Sequence, residues 1–194
     1  MRRSGLPRAA DVGLAMLGLA VCSPLLVVAA IAIRLESRGP ALYRQRRVGR
    51  AGERFQMLKL RTMVAGSDPT PAQTWEPLRE DDPRVTRVGA VLRRLSLDEL
   101  PNLVNVLRGE MAIVGPRPTI EAQVEQYSDR QRRRLEVRPG LTGWAQINGR
   151  ASLSWEERIE LDLWYVDNRS LGLDLRILAR SVRLLLTGHG LYEG

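Results

Sequence analysis

Hydrophobic positions dominate the first part of the chain, where residues 12–33 form a run without a charged side chain. At a rise of about 1.5 Å per residue, a helix of this run spans about 33 Å, enough to cross the hydrocarbon core of a bilayer. Ser23 and Pro24 fall at its midpoint, where a proline removes a backbone hydrogen bond and bends a helix. The pattern therefore predicts a membrane helix that is broken at Ser23-Pro24.

Arginines flank this run on both sides: Arg2, Arg3 and Arg8 before it, and Arg34, Arg38, Arg44, Arg46, Arg47 and Arg50 after it. The positive-inside rule places both flanks in the cytoplasm. A helix that enters and leaves the membrane on one face satisfies both the charges and the proline. We therefore expect residues 1–36 to form a re-entrant membrane region. A simple transmembrane anchor, a signal peptide and a lipoprotein site at Cys22 are the alternatives.

The rest of the chain, residues 37–194, has the pattern of one mainly helical α+β domain. In residues 37–63 the segments YRQRRV and ERFQMLKL flank Gly49 and Gly52. This predicts a β-hairpin whose turn uses the positive φ angles of the two glycines. Residues 66–83 and 138–150 have the composition of loops. Helical spacing of apolar residues or helix-capping signals predict further helices near residues 84–95, 100–107 (ended by Gly109), 119–136, 154–165 (capped by Ser154 and Glu157) and 171–187.

The net positive charge of the chain favours partners that carry negative charge. The chain has 30 basic and 22 acidic residues, a net charge of +8, which favours nucleic acid, phospholipid headgroups or phosphorylated small molecules. A single cysteine excludes a disulfide framework, and a single histidine disfavours histidine-based catalysis. The arginine run 130–134 is typical of a solvated face. Lys59 is the only lysine, so it either serves where a planar guanidinium would not, or lies by chance on the surface.

Candidate chemistry is concentrated in SLDELPNLVNVLRGEMAIVGPRP, residues 96–118. Ser96 and Glu99 fit a helix capping box, which would account for the acids, but Pro101 predicts an irregular helix start. There the adjacent carboxylates of Asp98 and Glu99 repel each other, and Mg²⁺ would relieve the repulsion. Arg117 stands between two prolines on a stiff backbone and suits bidentate phosphate recognition. Paired acids, a metal and a fixed arginine are the parts of a phosphoryl-transfer site.

Three segments carry a resemblance to a known family: RRVGRAGERFQMLKLRTM, DPRVTRVGAVLRRLSLDELPNLVNVLRGEMAIVGPRP and RPGLTGWAQINGR. In this order they closely resemble the bacterial sugar transferases, the small monotopic phosphoglycosyl transferases that act on polyprenyl phosphate. The likeness runs from about residue 23 to residue 178. Asn102 stands where glutamine is common, MAIVG replaces MSLVG, and the tail after Thr187 does not match.

The resemblance implies transfer of a sugar-1-phosphate from a UDP-sugar to undecaprenyl (polyprenyl) phosphate, at the start of bacterial glycoconjugate or exopolysaccharide synthesis. It implies Asp98 as covalent nucleophile, with Mg²⁺ held by Asp98 and Glu99 as catalytic residues. It implies that Lys59, Arg61 and Arg117 bind substrate, and that the family's helix break matches Ser23-Pro24. The catalytic domain, residues 37–194, would then lie on the cytoplasmic face of the inner membrane.

Two other functions compete with this one. A basic nucleic-acid-binding protein would account for the charge of +8 but not for the uncharged run of residues 12–33. A membrane scaffold would account for that run and the basic flanks, but it makes no use of Asp98, Glu99 and Arg117. The transferase uses all of these features. Its expected partners are a UDP-sugar, polyprenyl phosphate and membrane phospholipid, and not nucleic acid.

Overall fold

The computed structural model describes residues 4–67, 82–149 and 153–187, which form the predicted α+β, mainly helical fold. The helices are α1 Arg8–Glu36, α2 Arg87–Arg94, α3 Asn102–Arg108, α4 Glu121–Glu125, α5 Asp129–Arg132, α6 Trp144–Ile147, α7 Trp155–Asn168 and α8 Leu171–Thr187. Strands β1 Leu42–Val48 and β2 Arg54–Leu60 form the predicted antiparallel hairpin, and β3 Ala112–Val114 pairs in parallel with β4 Gly140–Thr142. Most of the predicted loop 66–83 and the tail after Thr187 lie outside the described residues.

Helix α1 runs without interruption through Pro24, so the predicted break at Ser23-Pro24 does not divide the helix. Pro24 has no N–H to bond the Ala20 carbonyl four residues earlier. The Ser23 hydroxyl donates to that same carbonyl at 3.0 Å. The serine thus supplies the hydrogen bond that the proline removes, and the helix continues. The re-entrant topology of residues 1–36 stays a prediction.

One face of α1 packs against the rest of the protein along its whole length, through Asp11, Ala15, Leu19, Leu26, Ala29 and Ile33. Near its start, the Asp11 carboxylate accepts a hydrogen bond from the Ile113 backbone N–H at 3.0 Å. At its end, the Glu36 carboxylate accepts from the backbone N–H of Arg87 at 2.7 Å, the first residue of α2. Both ends of α1 are therefore attached to the same domain.

The opposite face of α1 is exposed and apolar, with Leu14, Leu17, Val21, Leu25, Val28 and Ile31 among its residues. Among the described residues, α1 is the one helix long and apolar enough to cross a membrane. A face of this kind is unfavourable in water and is typical of a helix that contacts lipid.

The hairpin turn differs from its prediction at one glycine. Gly52 has the expected positive φ of 82°, but Gly49 has a φ of −107°, and Ala51 takes the second left-handed position with a φ of 55°. A Cβ at Gly49 would lie 3.3 Å from the Phe55 ring. Gly49 is therefore suited to close packing against the ring and not to a left-handed backbone.

The predicted polar helix 119–136 is divided into α4, α5 and a 3-10 turn, Arg133–Glu136. Ser128 begins α5 with a capping box, which requires a non-helical backbone inside the predicted helix. The interpretation of the arginine run as a solvated face holds for Arg130 and Arg133, which form surface ion pairs. It is wrong for Arg134, which is buried against Asp162 at 2.6 Å.

Candidate active site

The adjacent acids lie on a 3-10 turn, Leu97–Glu99, that joins α2 to α3. The alternative of a capping box is excluded, because Ser96 has a left-handed φ of 55° and its side chain makes no cap hydrogen bond, whereas an N-cap residue is extended. Pro101 directly precedes α3, where its missing N–H is not needed by the helix. The acids therefore stand at an irregular helix start, as predicted, and both are half-buried.

Lys59 is carried by β2, and the Asn105 side chain of α3 forms hydrogen bonds with the backbone of β2. The Asn105 side-chain oxygen accepts from the Leu58 N–H at 3.1 Å, and its amide nitrogen donates to the Gln56 carbonyl at 2.7 Å. The same nitrogen donates to the Glu110 carboxylate at 2.7 Å. Asn105 is fully buried. Its side chain therefore supplies the hydrogen bonds that water would supply to the Leu58 N–H and the Gln56 carbonyl at the surface.

Replacing Asn105 with leucine should destabilise the protein by about 2–3 kcal/mol, because it leaves buried backbone groups without partners. Asn102 offers a matched control in the same helix. It is equally buried, but neither of its side-chain amide atoms has a hydrogen-bond partner among the described residues. Asn102→Leu should be neutral or stabilising in thermal denaturation of the detergent-solubilised protein. Equal losses in the two variants would contradict the role of Asn105.

Arg117 lies on a turn, residues 116–118, in which each backbone carbonyl accepts a hydrogen bond. Pro116 accepts from the Gly140 N–H at 2.8 Å, Arg117 from the Arg134 side chain at 2.8 Å, and Pro118 from the Arg47 side chain at 3.3 Å. Arg134 is itself fixed by ionic and hydrogen-bond contacts with Asp162 and Tyr127. The backbone that presents Arg117 is therefore attached on three sides.

Lys59, Glu99 and Arg117 form one ion-pair cluster. Lys59 Nζ lies 2.9 Å from Glu99 Oε1, and Arg117 donates to both Glu99 oxygens, through Nη2 to Oε1 and through Nη1 to Oε2 at 3.3 Å. The Lys59 and Glu99 side chains are 15% and 19% exposed, whereas that of Arg117 is 46% exposed. The cluster is therefore reached from solvent on the Arg117 side.

The two acids differ in electrostatic state. Burial and the neighbouring Glu99 charge raise the pKa of Asp98 to about 6. Burial acts to raise the pKa of Glu99 as well, but the charges of Arg117 and Lys59 outweigh it and hold that pKa well below its ordinary value. None of the described residues donates a hydrogen bond to Asp98. Glu99 is thus an ionised partner of two cations, and Asp98 is the carboxylate left available for chemistry.

Arg61 does not join this cluster. Its guanidinium is buried on backbone carbonyls at the end of α1, with contacts to Arg38, to Ser37 at 2.8 Å and to Ile33 at 3.4 Å. The substrate-binding role predicted for Arg61 therefore has no support in this geometry. Carbonyls at a helix C-terminus lack intrahelical partners, and a buried guanidinium that satisfies them fixes the end of α1.

Arg93 and Arg47 are site residues that the sequence did not indicate. Arg93, at the end of α2, is close enough to act against the rise in the pKa of Asp98, and its Nε donates to Thr62 at 2.8 Å. Burial and the charge of Arg117 lower the pKa of Arg47 to about 10. In so arginine-rich a chain a single arginine carries no signal. Only the position of Arg93 in the last turn before the acids could have indicated it.

The residues present suit a magnesium ion only in part. Within the described ranges there is no group of three or more His, Cys, Asp or Glu side chains that could hold a metal. Mg²⁺ commonly binds one or two carboxylates and completes its coordination with water and substrate phosphates. The available carboxylate of Asp98 fits that pattern. Both oxygens of Glu99 are engaged by cations, so Glu99 does not fit it in this conformation.

An available carboxylate next to a glutamate that is held by a lysine and an arginine suits the transfer of phosphorylated groups. Sequence comparison agrees with this class. The sequence model described as bacterial sugar transferase matches residues 2–188. The chain belongs to the bacterial sugar transferase family and is a transferase. With the long apolar helix α1, this membership places the protein at a membrane.

Similar proteins cover nearly the whole chain. An uncharacterized sugar transferase, EpsL of Bacillus subtilis, is 44% identical over 89% of this chain and 83% of its own length. The exopolysaccharide production protein ExoY of Sinorhizobium fredii is 42% identical over 95% of this chain and 87% of its own. The UDP-glucose:undecaprenyl-phosphate glucose-1-phosphate transferase of Caulobacter vibrioides is 47% identical over 95% of this chain and 71% of its own.

Proposed function

We propose that this protein transfers a sugar-1-phosphate from a UDP-sugar to undecaprenyl phosphate through a covalent intermediate on Asp98, and thereby starts the synthesis of an exopolysaccharide. The observation that carries the proposal is the convergence of Lys59 and Arg117 on Glu99, the residue next to the available carboxylate of Asp98, on which both cations also act. The names of the Sinorhizobium and Caulobacter relatives support the pathway and the two substrates.

The reaction has two displacements at one phosphorus atom. First, an Asp98 carboxylate oxygen attacks the phosphorus that bears the sugar, the bond from that phosphorus to the UMP oxygen breaks, and UMP leaves. Next, a phosphate oxygen of undecaprenyl phosphate attacks the same phosphorus, and the Asp98 carboxylate leaves. The product is undecaprenyl diphosphate sugar, and Asp98 is regenerated. A nucleophilic side chain accelerates the transfer because it divides one difficult step into two easier ones.

The cations of the site orient the donor and stabilise charge. Lys59 and Arg117 bind the diphosphate oxygens, and the fixed turn of Arg117 keeps its two N–H groups in the planar arrangement that suits phosphate. Arg93 adds positive charge near Asp98. A Mg²⁺ ion bound by Asp98 and the donor phosphates would neutralise negative charge on the diphosphate, which lets an anionic nucleophile approach.

Two exposed surfaces suit membrane phospholipid on the cytoplasmic face. The apolar face of α1 is one, and both ends of α1 are attached to the catalytic domain, as expected for a helix that enters and leaves on one side. Helix α8 is the other. On a helical wheel its exposed apolar residues Leu171, Leu175, Val182 and Leu185 adjoin a stripe of Arg176, Arg180 and Arg183. Arginines beside apolar side chains match lipid phosphates above acyl chains.

The function is tested with the full chain in lipid nanodiscs. A panel of UDP-sugars is supplied with undecaprenyl phosphate and Mg²⁺, and UMP release and lipid product are measured. We expect one donor, or a small related group, to give both products in equal amounts. Folded protein that releases no UMP from any donor would contradict the proposal and favour a membrane scaffold.

Activity should fall in acid with a midpoint near pH 6. Burial and Glu99 raise the pKa of Asp98 to about 6, and a protonated carboxyl is not a nucleophile, so the rate is lost as pH falls through that value. The readout is the rate of the UMP burst at subsaturating donor and without acceptor, because this rate reports the pKa of the free enzyme and undecaprenyl phosphate titrates in the same range. Arg93→Met should move the midpoint upward, because Arg93 acts to lower this pKa. A midpoint near 4 would contradict the assignment.

Both ends of α1 should face the cytoplasm. Cysteines are introduced singly at two exposed positions that flank the helix, Ser4 and Arg38, in a chain with Cys22 replaced by serine. Each should resist a membrane-impermeant maleimide in intact cells and react after lysis. Reaction of the Ser4→Cys variant alone in intact cells would instead show that α1 spans the membrane.

A further inference from the structure

Glu99 occupies the groups that the proposed function assigns to the donor. One of its oxygens accepts from both Lys59 and Arg117, and the other accepts from Arg117 alone. A phosphate group would present two oxygens to the same donors in the same way. We propose that Glu99 is the resting counter-ion of the phosphate-binding cations, and that the donor diphosphate must displace its carboxylate to bind. This inference rests on the proposed function.

The backbone segments that hold Lys59, Arg117 and Glu99 indicate which of the three side chains moves. Lys59 lies on a paired strand that Asn105 fixes to α3, and the turn of Arg117 is held through three carbonyls. Glu99 lies on a turn of three residues that follows the left-handed Ser96. Rotation about its side-chain bonds removes the carboxylate without moving either cation. The cations therefore form a preformed site, and Glu99 is the part that exchanges.

Charge explains why a counter-ion is present before the donor arrives. Burial lowers the pKa of Lys59 and so does the charge of the neighbouring Arg117, whereas Glu99 opposes both. The Glu99 carboxylate thus offsets the repulsion between the two neighbouring cations. When a diphosphate pairs with Lys59 and Arg117 instead, the Glu99 carboxylate is released beside Asp98. Part of the binding free energy of the donor is consequently used to break the contacts of Glu99.

Binding of UDP without a metal ion tests this inference directly. UDP is titrated calorimetrically into the full chain in nanodiscs, with EDTA present, for the wild type, Glu99→Gln and Asp98→Asn. Both variants lose one negative charge at adjacent positions, but only Glu99 contacts the cations. Glu99→Gln should bind UDP about tenfold more tightly than the wild type, since it breaks charge-assisted hydrogen bonds. Asp98→Asn removes only the repulsion between the Asp98 carboxylate and the diphosphate, so its gain in affinity should be smaller than that of Glu99→Gln.

A third variant keeps the test decisive if Glu99→Gln does not fold, and it separates the contacts of Glu99 from the net charge of the protein. Glu99→Asp keeps the charge but is shorter by one methylene, which breaks the two-oxygen contact with Arg117, so it should also bind UDP more tightly than the wild type. Inorganic pyrophosphate is titrated in parallel. Tighter binding of either ligand by the Glu99 variants supports the inference, even if no UDP-sugar is turned over. Binding equal to or weaker than that of the wild type, or equal gains in Asp98→Asn, would overturn it.

Discussion

Replacing Asp98 with asparagine should abolish sugar-phosphate transfer, with a rate loss of at least about 10⁴-fold, because an amide cannot act as the nucleophile. The fold should remain. No described residue donates a hydrogen bond to the Asp98 carboxylate, and its pKa is raised above 3.8 to about 6. Ionisation of Asp98 therefore costs stability as pH rises through that interval, and at pH 7 the asparagine variant avoids this cost.

Mass spectrometry supplies the decisive measurement. Wild-type enzyme incubated with donor and no acceptor should carry a sugar-phosphate adduct on the peptide that contains Asp98, and the variant should carry none. Asp129→Asn, at an exposed acid that begins α5, is the control and should keep full activity. Absence of an adduct in the wild type, with both substrates required before UMP leaves, would indicate direct transfer and contradict a covalent intermediate.

Replacing Arg117 with lysine should lower kcat/KM by about 10²–10³-fold, although the charge is kept. An ammonium group cannot make two parallel hydrogen bonds, and the fixed turn prevents the shorter side chain from approaching the donor. Steady-state kinetics with the identified UDP-sugar measures the loss. Arg44→Lys, on the exposed side of β1, is the matched control and should remain within about twofold of the wild type. Near-normal turnover of Arg117→Lys would contradict recognition by two parallel hydrogen bonds, and near-normal turnover of Arg117→Ala would make Arg117 merely structural.

The acids and Arg117 could be predicted from the sequence because each carries its signal in adjacent residues. A pair of carboxylates before a proline, and an arginine between two prolines, indicate both chemistry and a fixed backbone. Lys59 was indicated by its uniqueness among 30 basic residues. What local pattern could not reveal is that Glu99 is the common partner of Lys59 and Arg117. That pairing joins segments 40 and 18 residues apart and depends on how β2 packs against α3.

Where the structure departs from what the sequence suggested, the causes are also physical. Lys59 and Arg61 are two residues apart and would share a face of an extended strand, but β2 ends at Leu60, and Arg61 turns towards α1. The arginine run gave no sign that Arg134 faces Asp162, an acid 28 residues later. Sequence periodicity describes one element at a time, and these contacts depend on two.

The attachment of α1 at both ends has a consequence for kinetics. Glu36 fixes the end of α1 to α2, and α2 leads directly into the turn of the acids. If α1 inserts into lipid as proposed, its depth sets the height of Asp98 above the bilayer. Under the proposed function, the acceptor reaches Asp98 only by lateral diffusion at that height. The rate then depends on the mole fraction of undecaprenyl phosphate in the bilayer. Adding vesicles that lack the enzyme but contain the acceptor at the same mole fraction leaves the rate unchanged.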